Sequence, residues 1–195
     1  MRKLVLLMMC IISVVTSSAQ EKMQLSLSGG YEHFDNDDIA SDGGYGIGLE
    51  FKYPLCKNLY AVADFHTGIN RDFKPRIAIA EVGEIDFSMR WKTNEYKAGI
   101  GLGINILEYK KSKIYTQATL GLSKIKYSYP VVTEYRPNVS IENRNNDFFK
   151  FASSVSFGYD YRIYKSFLIG IDYTGWWLID YKYRHTCNAK IGIVF

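Results

Sequence analysis

The sequence has few of the residues that would place it in several common protein classes. Its 195 residues include 3 cysteines and 4 prolines, and its formal net charge is +4. Cys10, Cys56 and Cys187 are too few and too widely spaced for a disulfide-stabilised scaffold. A chain with 47% hydrophobic residues and so little net charge buries enough apolar surface to offset its ordering entropy, which excludes intrinsic disorder. No block of basic residues indicates a nucleic-acid partner.

The first 19 residues have the three parts of a secretory signal peptide. Arg2 and Lys3 precede an apolar segment, residues 4–15, which is shorter than the roughly 20 residues needed to span a bilayer core. Ser17 and Ala19 are small, as signal peptidase requires before its cleavage site. We therefore predict cleavage after Ala19, which makes residues 1–19 a signal peptide and residues 20–195 a single mature domain.

Long apolar runs are absent beyond the signal peptide, and the dominant period of the hydrophobic residues is two. This period places alternate side chains on opposite faces of extended strands. The segment 43–55 shows it clearly, because Tyr45, Ile47, Leu49, Phe51 and Tyr53 alternate with Gly44, Gly46, Gly48, Glu50 and Lys52. Similar segments follow along the whole chain, and we find no convincing helical spacing. The sequence therefore predicts an all-β fold.

Aromatic residues make up 15% of the chain, and none of them lies in the first 20 residues. Amphipathic rings anchor membrane strands at the two edges of a bilayer. Many rings fall near the ends of the predicted strands: Tyr31, Phe34, Tyr53, Tyr60, Phe148, Phe149, Trp176, Trp177, Tyr181 and Tyr183. We therefore favour a membrane barrel with its apolar face outward over a soluble barrel or sandwich with its apolar face inward.

The opposite face of the predicted strands carries charged residues. A narrow barrel would enclose them in its lumen, where opposite charges pair and alternate glycines make room for long side chains. In a soluble sandwich the same residues would simply face water. The predicted lumen charges are Glu50, Lys52, Asp64, Lys97, Lys150, Asp160, Arg162, Asp172 and Lys190.

The C-terminal strand carries a more specific pattern. Phe195 is preceded at two-residue steps by Ile193 and Ile191, although Ala189 is smaller than is common at the next step. This pattern resembles the insertion signal that the barrel-insertion machinery reads in bacterial outer-membrane proteins. With the signal peptide and the alternating short and long connections, the mature chain resembles the small outer-membrane β-barrel family of OmpA/OmpX type.

The resemblance implies an antiparallel up-and-down barrel in the Gram-negative outer membrane, with both termini in the periplasm and an even number of strands. It also implies outer-membrane lipid, periplasmic chaperones and the barrel-insertion machinery as partners. We expect a monomer. Any surface ligand or partner protein stays unidentified at this stage.

The number of strands is the most open point, because nine segments alternate and nine is odd. We prefer eight strands, with residues 82–92 forming a hairpin arm above the bilayer that residues 92–95 join to the strand from Tyr96. The alternative of ten strands requires a further strand in residues 131–142, which Pro137 interrupts.

Three features are predicted to lie at or beyond the membrane surface. Residues 71–95 and 130–147 are expected to form long extracellular loops. In residues 114–129 the alternation breaks near Ser123 and Lys124, where we expect either a β-bulge or the emergence of the strand into water.

Catalytic, cofactor and metal motifs are not found. Asp64 and His66 share a strand face, but no nucleophile, base and oxyanion donor can be assembled from the spacing. The alternating glycines do not follow the G-x-G-x-x-G spacing of a nucleotide loop, and the histidines form no metal-binding motif. We therefore predict no enzymatic activity, no cofactor and no metal site.

Eight strands enclose an interior that side chains fill, so a solute pore is not expected. The function would then be structural or adhesive, with the extracellular loops contacting a host surface, a partner protein or lipopolysaccharide. Two alternatives remain: transport of a small molecule through a lateral opening or a wider ten-stranded lumen, and a membrane-embedded enzyme. A soluble secreted barrel is a further possibility.

Overall fold

A computed structural model describes residues 23–34, 43–74, 77–80, 83–86, 89–134, 140–179 and 181–195, so the predicted signal peptide lies outside the described residues. Within these ranges no helix is long and apolar enough to cross a membrane. The strands are β1 Gln24–Phe34, β2 Gly44–Pro54, β3 Leu59–Lys74, β4 Ile77–Ala80, β5 Gly83–Asp86, β6 Met89–Tyr109, β7 Ser112–Glu134, β8 Ser140–Arg162, β9 Phe167–Leu178 and β10 Tyr181–Val194.

Eight of these strands close into one antiparallel barrel. The order around the barrel is β1, β2, β3, β6, β7, β8, β9 and β10, and β10 pairs with β1 to close it. The short strands β4 and β5 pair with each other in a separate two-stranded hairpin. The predicted all-β fold with eight up-and-down barrel strands is therefore confirmed, and the ten-stranded alternative is excluded.

The two ends of the barrel differ in their connections. The lower end, as we call it, carries residues 23 and 195 and the tight connections at residues 55–58, 110–111 and 163–166. The upper end carries the other connections and the tops of the three longest strands, β6, β7 and β8, which have 21, 23 and 23 residues.

The alternating sequence places apolar side chains on the outer wall of the barrel. Ile47, Ile100 and Leu120 are 58%, 73% and 71% exposed, whereas Lys97 and Lys190 point inward and are 0% and 3% exposed. A continuous apolar wall of this size must be shielded from water, and for a barrel with a polar interior the lipid of a membrane shields it.

Two predicted loops are largely strands, so this part of the prediction was wrong. β6 runs without interruption from Met89, so residues 92–95 belong to a strand and do not join a separate arm. β7 and β8 remain paired far above the expected membrane edge, for example through Tyr129 with Arg144 and Pro130 with Asn143. Both faces of a hairpin meet water there, so polarity stops alternating although backbone pairing continues.

The break in alternation near Ser123 and Lys124 marks the emergence of β7 from the apolar belt. No register shift occurs there, because the shifts of β7 lie opposite residues 105–107 and between Val132 and Glu134. Ser123 and Ile125 both face inward and are 0% exposed. The strand keeps its geometry while its outward residues change from apolar to basic.

Three of the rings predicted at the bilayer edges lie inside the barrel instead. Tyr60 and Trp176 are buried at 5% and 4% exposure, and Phe148 packs against the apolar cluster formed by Ile125, Trp176 and Leu178. Position near a strand end does not distinguish an inward from an outward ring. The parity of the residue does, because residues at odd and even positions of a strand point to opposite faces. By parity these three rings share the face of the lumen charges.

Candidate functional site

The lower half of the lumen contains an ion-pair network that we call the lower cluster, made of Glu50, Lys52, Asp160, Asp172 and Lys190. Nζ of Lys190 lies 3.1 Å from Oδ1 of Asp160 and 3.3 Å from Oε1 of Glu50. Nζ of Lys52 lies 3.2 Å from the same Glu50 oxygen and 3.7 Å from Oδ2 of Asp160. The carboxylates of Glu50 and Asp160 thus each contact both ammonium groups, those of Lys52 and Lys190.

Two neutral side chains complete the lower cluster. The ring of Tyr115 lies 3.4 Å from Nζ of Lys52 and 4.3 Å from Nζ of Lys190, measured to its centroid. Gln117 donates from Nε2 to Oε2 of Glu50 at 2.5 Å and accepts from the hydroxyl of Tyr60 at 3.1 Å. Rings and amides therefore fill the space between the charges, and the lower half of the lumen is packed.

The upper half of the lumen contains a second network, the upper cluster, made of Glu32, His66, Glu95, Lys97 and Arg184. Nζ of Lys97 donates to Oε1 of Glu32 at 2.8 Å and lies 3.7 Å from Oε2 of Glu95. His66 Nε2 is 3.2 Å from the second oxygen of Glu32, and Arg184 pairs with Glu95. The side chains of Lys97, Glu32 and Glu95 are fully buried.

The glycines on the lumen face provide the space for these long side chains. A Cβ atom at Gly68 would meet the carboxylate of Glu32, and one at Gly46 would meet the ring of His66. In the lower half, a Cβ atom at Gly158 would meet the ring of Tyr115. The alternating glycines therefore act through close packing against neighbouring side chains, as a filled lumen requires.

The structure brings most of the predicted lumen charges together. Glu50, Lys52, Asp160, Asp172 and Lys190 form the lower cluster, and Lys97 belongs to the upper cluster. Asp64 lies between the clusters and accepts a hydrogen bond of 3.4 Å from Thr119.

The other two predicted lumen charges lie nearer the barrel ends. Lys150 is half-buried, with its Nζ 5.9 Å from the ring centroid of Phe148. Arg162 is the last residue of β8 and is also half-buried. Neither joins the two clusters.

Besides His66, three members of the upper cluster were missing from the predicted charges. Glu32 was already on the polar face of its strand, and Arg184 has the same parity as Lys190, so strand parity alone would have found both. Glu95 was assigned to a connection, and only the unbroken strand β6 places it in the lumen.

The two clusters leave little free volume between them. The cavity bordered by Glu50, Asp64, His66 and Lys190 holds 40 Å³, which is room for about one water molecule. In the part of the chain that the structure describes, no group of three or more His, Cys, Asp or Glu residues is placed to hold a metal ion. His66 contacts Glu32 at 3.2 Å.

The predicted insertion signal lies on the outer wall at the lower end. Ile191, Ile193 and Phe195 are 61%, 41% and 54% exposed. Their recognition by the insertion machinery stays a prediction. Cys56 and Cys187 are free thiols and both are exposed.

Above the apolar belt, the tops of β3, β6, β7 and β8 continue as a sheet, which we call the upper sheet. β8 pairs with β9 only from Ala152 with Leu178 down to Arg162 with Leu168. Residues 140–151 of β8 therefore form an edge of the upper sheet that the described residues do not pair on the β9 side. The backbone carbonyl of Phe151 accepts a hydrogen bond from the amide of Ile179, at 3.2 Å, where β9 ends.

A closed eight-stranded barrel with an apolar outer wall and a charged, filled lumen defines an integral outer-membrane β-barrel protein. The chain belongs to the outer membrane protein beta-barrel domain family, whose model matches residues 4–195. The protein is therefore located in the Gram-negative outer membrane. A search of curated protein sequences finds no match.

Solved structures support the same fold at low sequence identity. Ail, the attachment invasion locus protein of Yersinia pestis, is 15% identical, and the alignment covers 90% of this chain and 99% of Ail with a TM-score of 0.58. Neisserial surface protein A is 13% identical, with 89% and 96% covered and a TM-score of 0.55. Another structure of Ail, in complex with the heparin analogue sucrose octasulfate, is 16% identical, with 90% and 97% covered and a TM-score of 0.50.

Proposed function

We propose that the protein is a cell-surface interaction protein, in which the barrel is a closed scaffold and the upper sheet binds an extended segment of a partner protein. The observation that carries this proposal is the edge of β8 at residues 140–151. An edge strand offers a row of backbone donors and acceptors, to which an extended segment adds as a further strand.

The direction of the backbone groups supports this mode of binding. In an antiparallel sheet, successive residues of a strand direct their N–H and C=O groups to alternate neighbours. Because Phe151 bonds toward β9, residues Phe149, Asp147, Asn145 and Asn143 direct their backbone groups to the same, open side. The register between β7 and β8 is continuous over these residues, so the alternation holds.

The side chains of the edge favour a selective partner over self-association. Residues 142–147 are exposed and include Glu142, Arg144 and Asp147. Charged side chains on an edge strand are a common protection against pairing with an identical copy. A partner with a complementary charge pattern would gain both the backbone hydrogen bonds and the charge contacts.

Proline at Asn145 tests this proposal, because it removes one outward backbone donor and leaves the pairing with β7 in place. Asn145→Ala is the matched control, since it changes the same side chain but keeps the donor. We measure the adhesion of bacteria that display each variant to epithelial cell monolayers. Asn145→Pro should abolish most of the adhesion, and Asn145→Ala should retain it. Equal adhesion of the two variants, or no adhesion by the unaltered protein, would refute the proposal.

A further inference from the structure

A second feature of the upper end lies on its outer face, where lysines follow directly above the apolar belt. We call Lys92, Lys124 and Lys126 the basic patch. They lie on the adjacent strands β6 and β7, on the side that faces away from the lumen, because the intervening residues Thr93 and Ile125 are buried inside. The patch is therefore turned toward the surrounding membrane surface.

The register places the basic patch immediately above lipid-facing residues. Lys126 pairs with Asn94 and Asp147, and two residues lower Lys124 pairs with Tyr96 and Phe149. The next outward residue of β7 is Leu122, which pairs with Phe151 on β8. Successive outward residues of a strand are about 7 Å apart. The outer wall of β7 therefore changes from apolar to cationic within this distance, between Leu122 and Lys124.

A concave surface lies on each side of this boundary. Below it, a shallow apolar groove of 1150 Å³ crosses the outer wall past Ile100, Leu122 and Phe151. Small side chains, such as Ala63 and Ser153, lie between the bulky residues of the groove. Such a groove accepts acyl chains, because it lies within the part of the barrel that lipid covers.

Above the boundary, a polar cavity of 510 Å³ is lined by Lys92, Asn94, Lys126, Ser128, Asn145 and Asp147. This volume is in the usual range for sites that hold small molecules. Lysine ammonium groups are suited to phosphate, and asparagine amides and a serine hydroxyl are suited to the hydroxyl groups of a sugar.

From these two surfaces, which only the row of Tyr96, Lys124 and Phe149 separates, we infer a specific lipid site, which holds a phosphorylated glycolipid of the outer leaflet with its acyl chains in the apolar groove and its phosphorylated sugar in the polar cavity. This inference does not depend on the proposed adhesive function, since the lipid would contact the outward side chains of Asn145 and Asp147, whereas the partner segment would pair with the backbone groups of β8. The outer leaflet is the correct leaflet, because the long strands of the upper end face the cell exterior when the termini lie in the periplasm.

Asp147 is the acidic member of the cavity lining, and it restrains one lysine. Its Oδ2 lies 3.0 Å from Nζ of Lys124. The hydrogen bond and the charge of Lys124 hold the pKa of Asp147 below its ordinary value, because both favour the ionised carboxylate. It therefore competes with a phosphate for Lys124, and its neutralisation should favour the lipid.

The test uses the protein purified from outer membranes in detergent, with bisphosphorylated lipid A as the probe and native mass spectrometry as the measurement. The unaltered protein should retain one probe molecule. Lys92→Gln/Lys126→Gln should lower the affinity at least tenfold, because two charge-assisted contacts to phosphate are lost. Asp147→Asn should raise the affinity. The matched control is Lys57→Gln/Lys165→Gln, which removes the same charge from exposed turns at the lower end and should leave the affinity unchanged.

Two comparison lipids identify the recognised chemistry. Dephosphorylated lipid A should bind at least tenfold more weakly than the probe, and so should phosphatidylglycerol, which has a phosphate but no amino sugar. Equal binding of either lipid would overturn the assignment to a phosphorylated glycolipid. Equal losses in the two double variants, or weaker binding by Asp147→Asn, would overturn the site itself. Heat-modifiable gel mobility confirms that each variant is folded before the comparison.

Discussion

Replacement of Lys97 by methionine offers the sharpest test of the lumen networks. The upper cluster contains two carboxylates, Glu32 and Glu95, which Lys97 and Arg184 neutralise, and His66 lies beside Glu32. Lys97→Met keeps most of the side-chain volume but leaves one buried negative charge without compensation. Removal of one partner from a buried ion pair costs roughly 3–5 kcal/mol, and the contact of Lys97 with the ring of Trp176, at 4.5 Å, adds to the loss. We expect a destabilisation of about 4 kcal/mol.

The assay is urea unfolding of the barrel in lipid vesicles, followed by tryptophan fluorescence. Lys97→Met/Glu32→Gln removes one charge of each sign and leaves the pair of Glu95 with Arg184, so it should cost roughly half as much as the single variant or less. Lys165→Met, in an exposed turn, should change stability by less than about 0.5 kcal/mol. A cost below about 1 kcal/mol for Lys97→Met, or simple additivity in the double variant, would show that the two side chains are not coupled as described.

Three further predictions concern the lumen packing and the outer wall. Gly158→Val should destabilise the barrel by roughly 1–3 kcal/mol in the same urea assay, because its side chain meets the ring of Tyr115, whereas Gly29→Ala should be tolerated, because its Cβ atom has its nearest contact at 3.8 Å. The purified protein should give no steady single-channel steps in planar bilayers, and regular ion steps would contradict a filled lumen. Phe195→Ala should lower the amount of assembled barrel in the outer membrane relative to the unassembled form, and unchanged assembly would remove this residue from the insertion signal.

The sequence predicted the barrel itself because lipid-covered strands obey a strict rule. Within the belt each residue faces either lipid or lumen, so the parity of Ile47 or Lys190 decides its chemistry, and the period of two is visible without structural data. Mean hydropathy conceals this arrangement, since the value of -0.14 averages an apolar row with a charged row. An even count left eight or ten strands, and the interruption of residues 131–142 by Pro137 favoured eight.

The same rule explains where the predictions were wrong. Above the belt both strand faces meet water, so residues 130–134 and 140–147 looked like a loop although they continue the β7–β8 hairpin. Tyr60 and Trp176 were placed at the bilayer edges because their positions near strand ends were weighed above their parity. The pattern of polar and apolar residues did not reveal the upper hairpin, because pairing between β7 and β8 decides it. Nor did nearness to a strand end reveal the two inward rings, because they fill the lumen.

Parity in the sequence thus determined which residues face lipid and which face the lumen. Only the tertiary structure decided which charges meet, because Glu32 and Lys97, or Glu50 and Lys190, come from strands that are far apart in the chain and are joined across a narrow interior. The edge of β8 that the described residues do not pair, and the basic patch above the apolar groove, likewise arise from the different heights of neighbouring strands. Strand height above the membrane is set by pairing between chain segments, and hydrophobic periodicity does not report it.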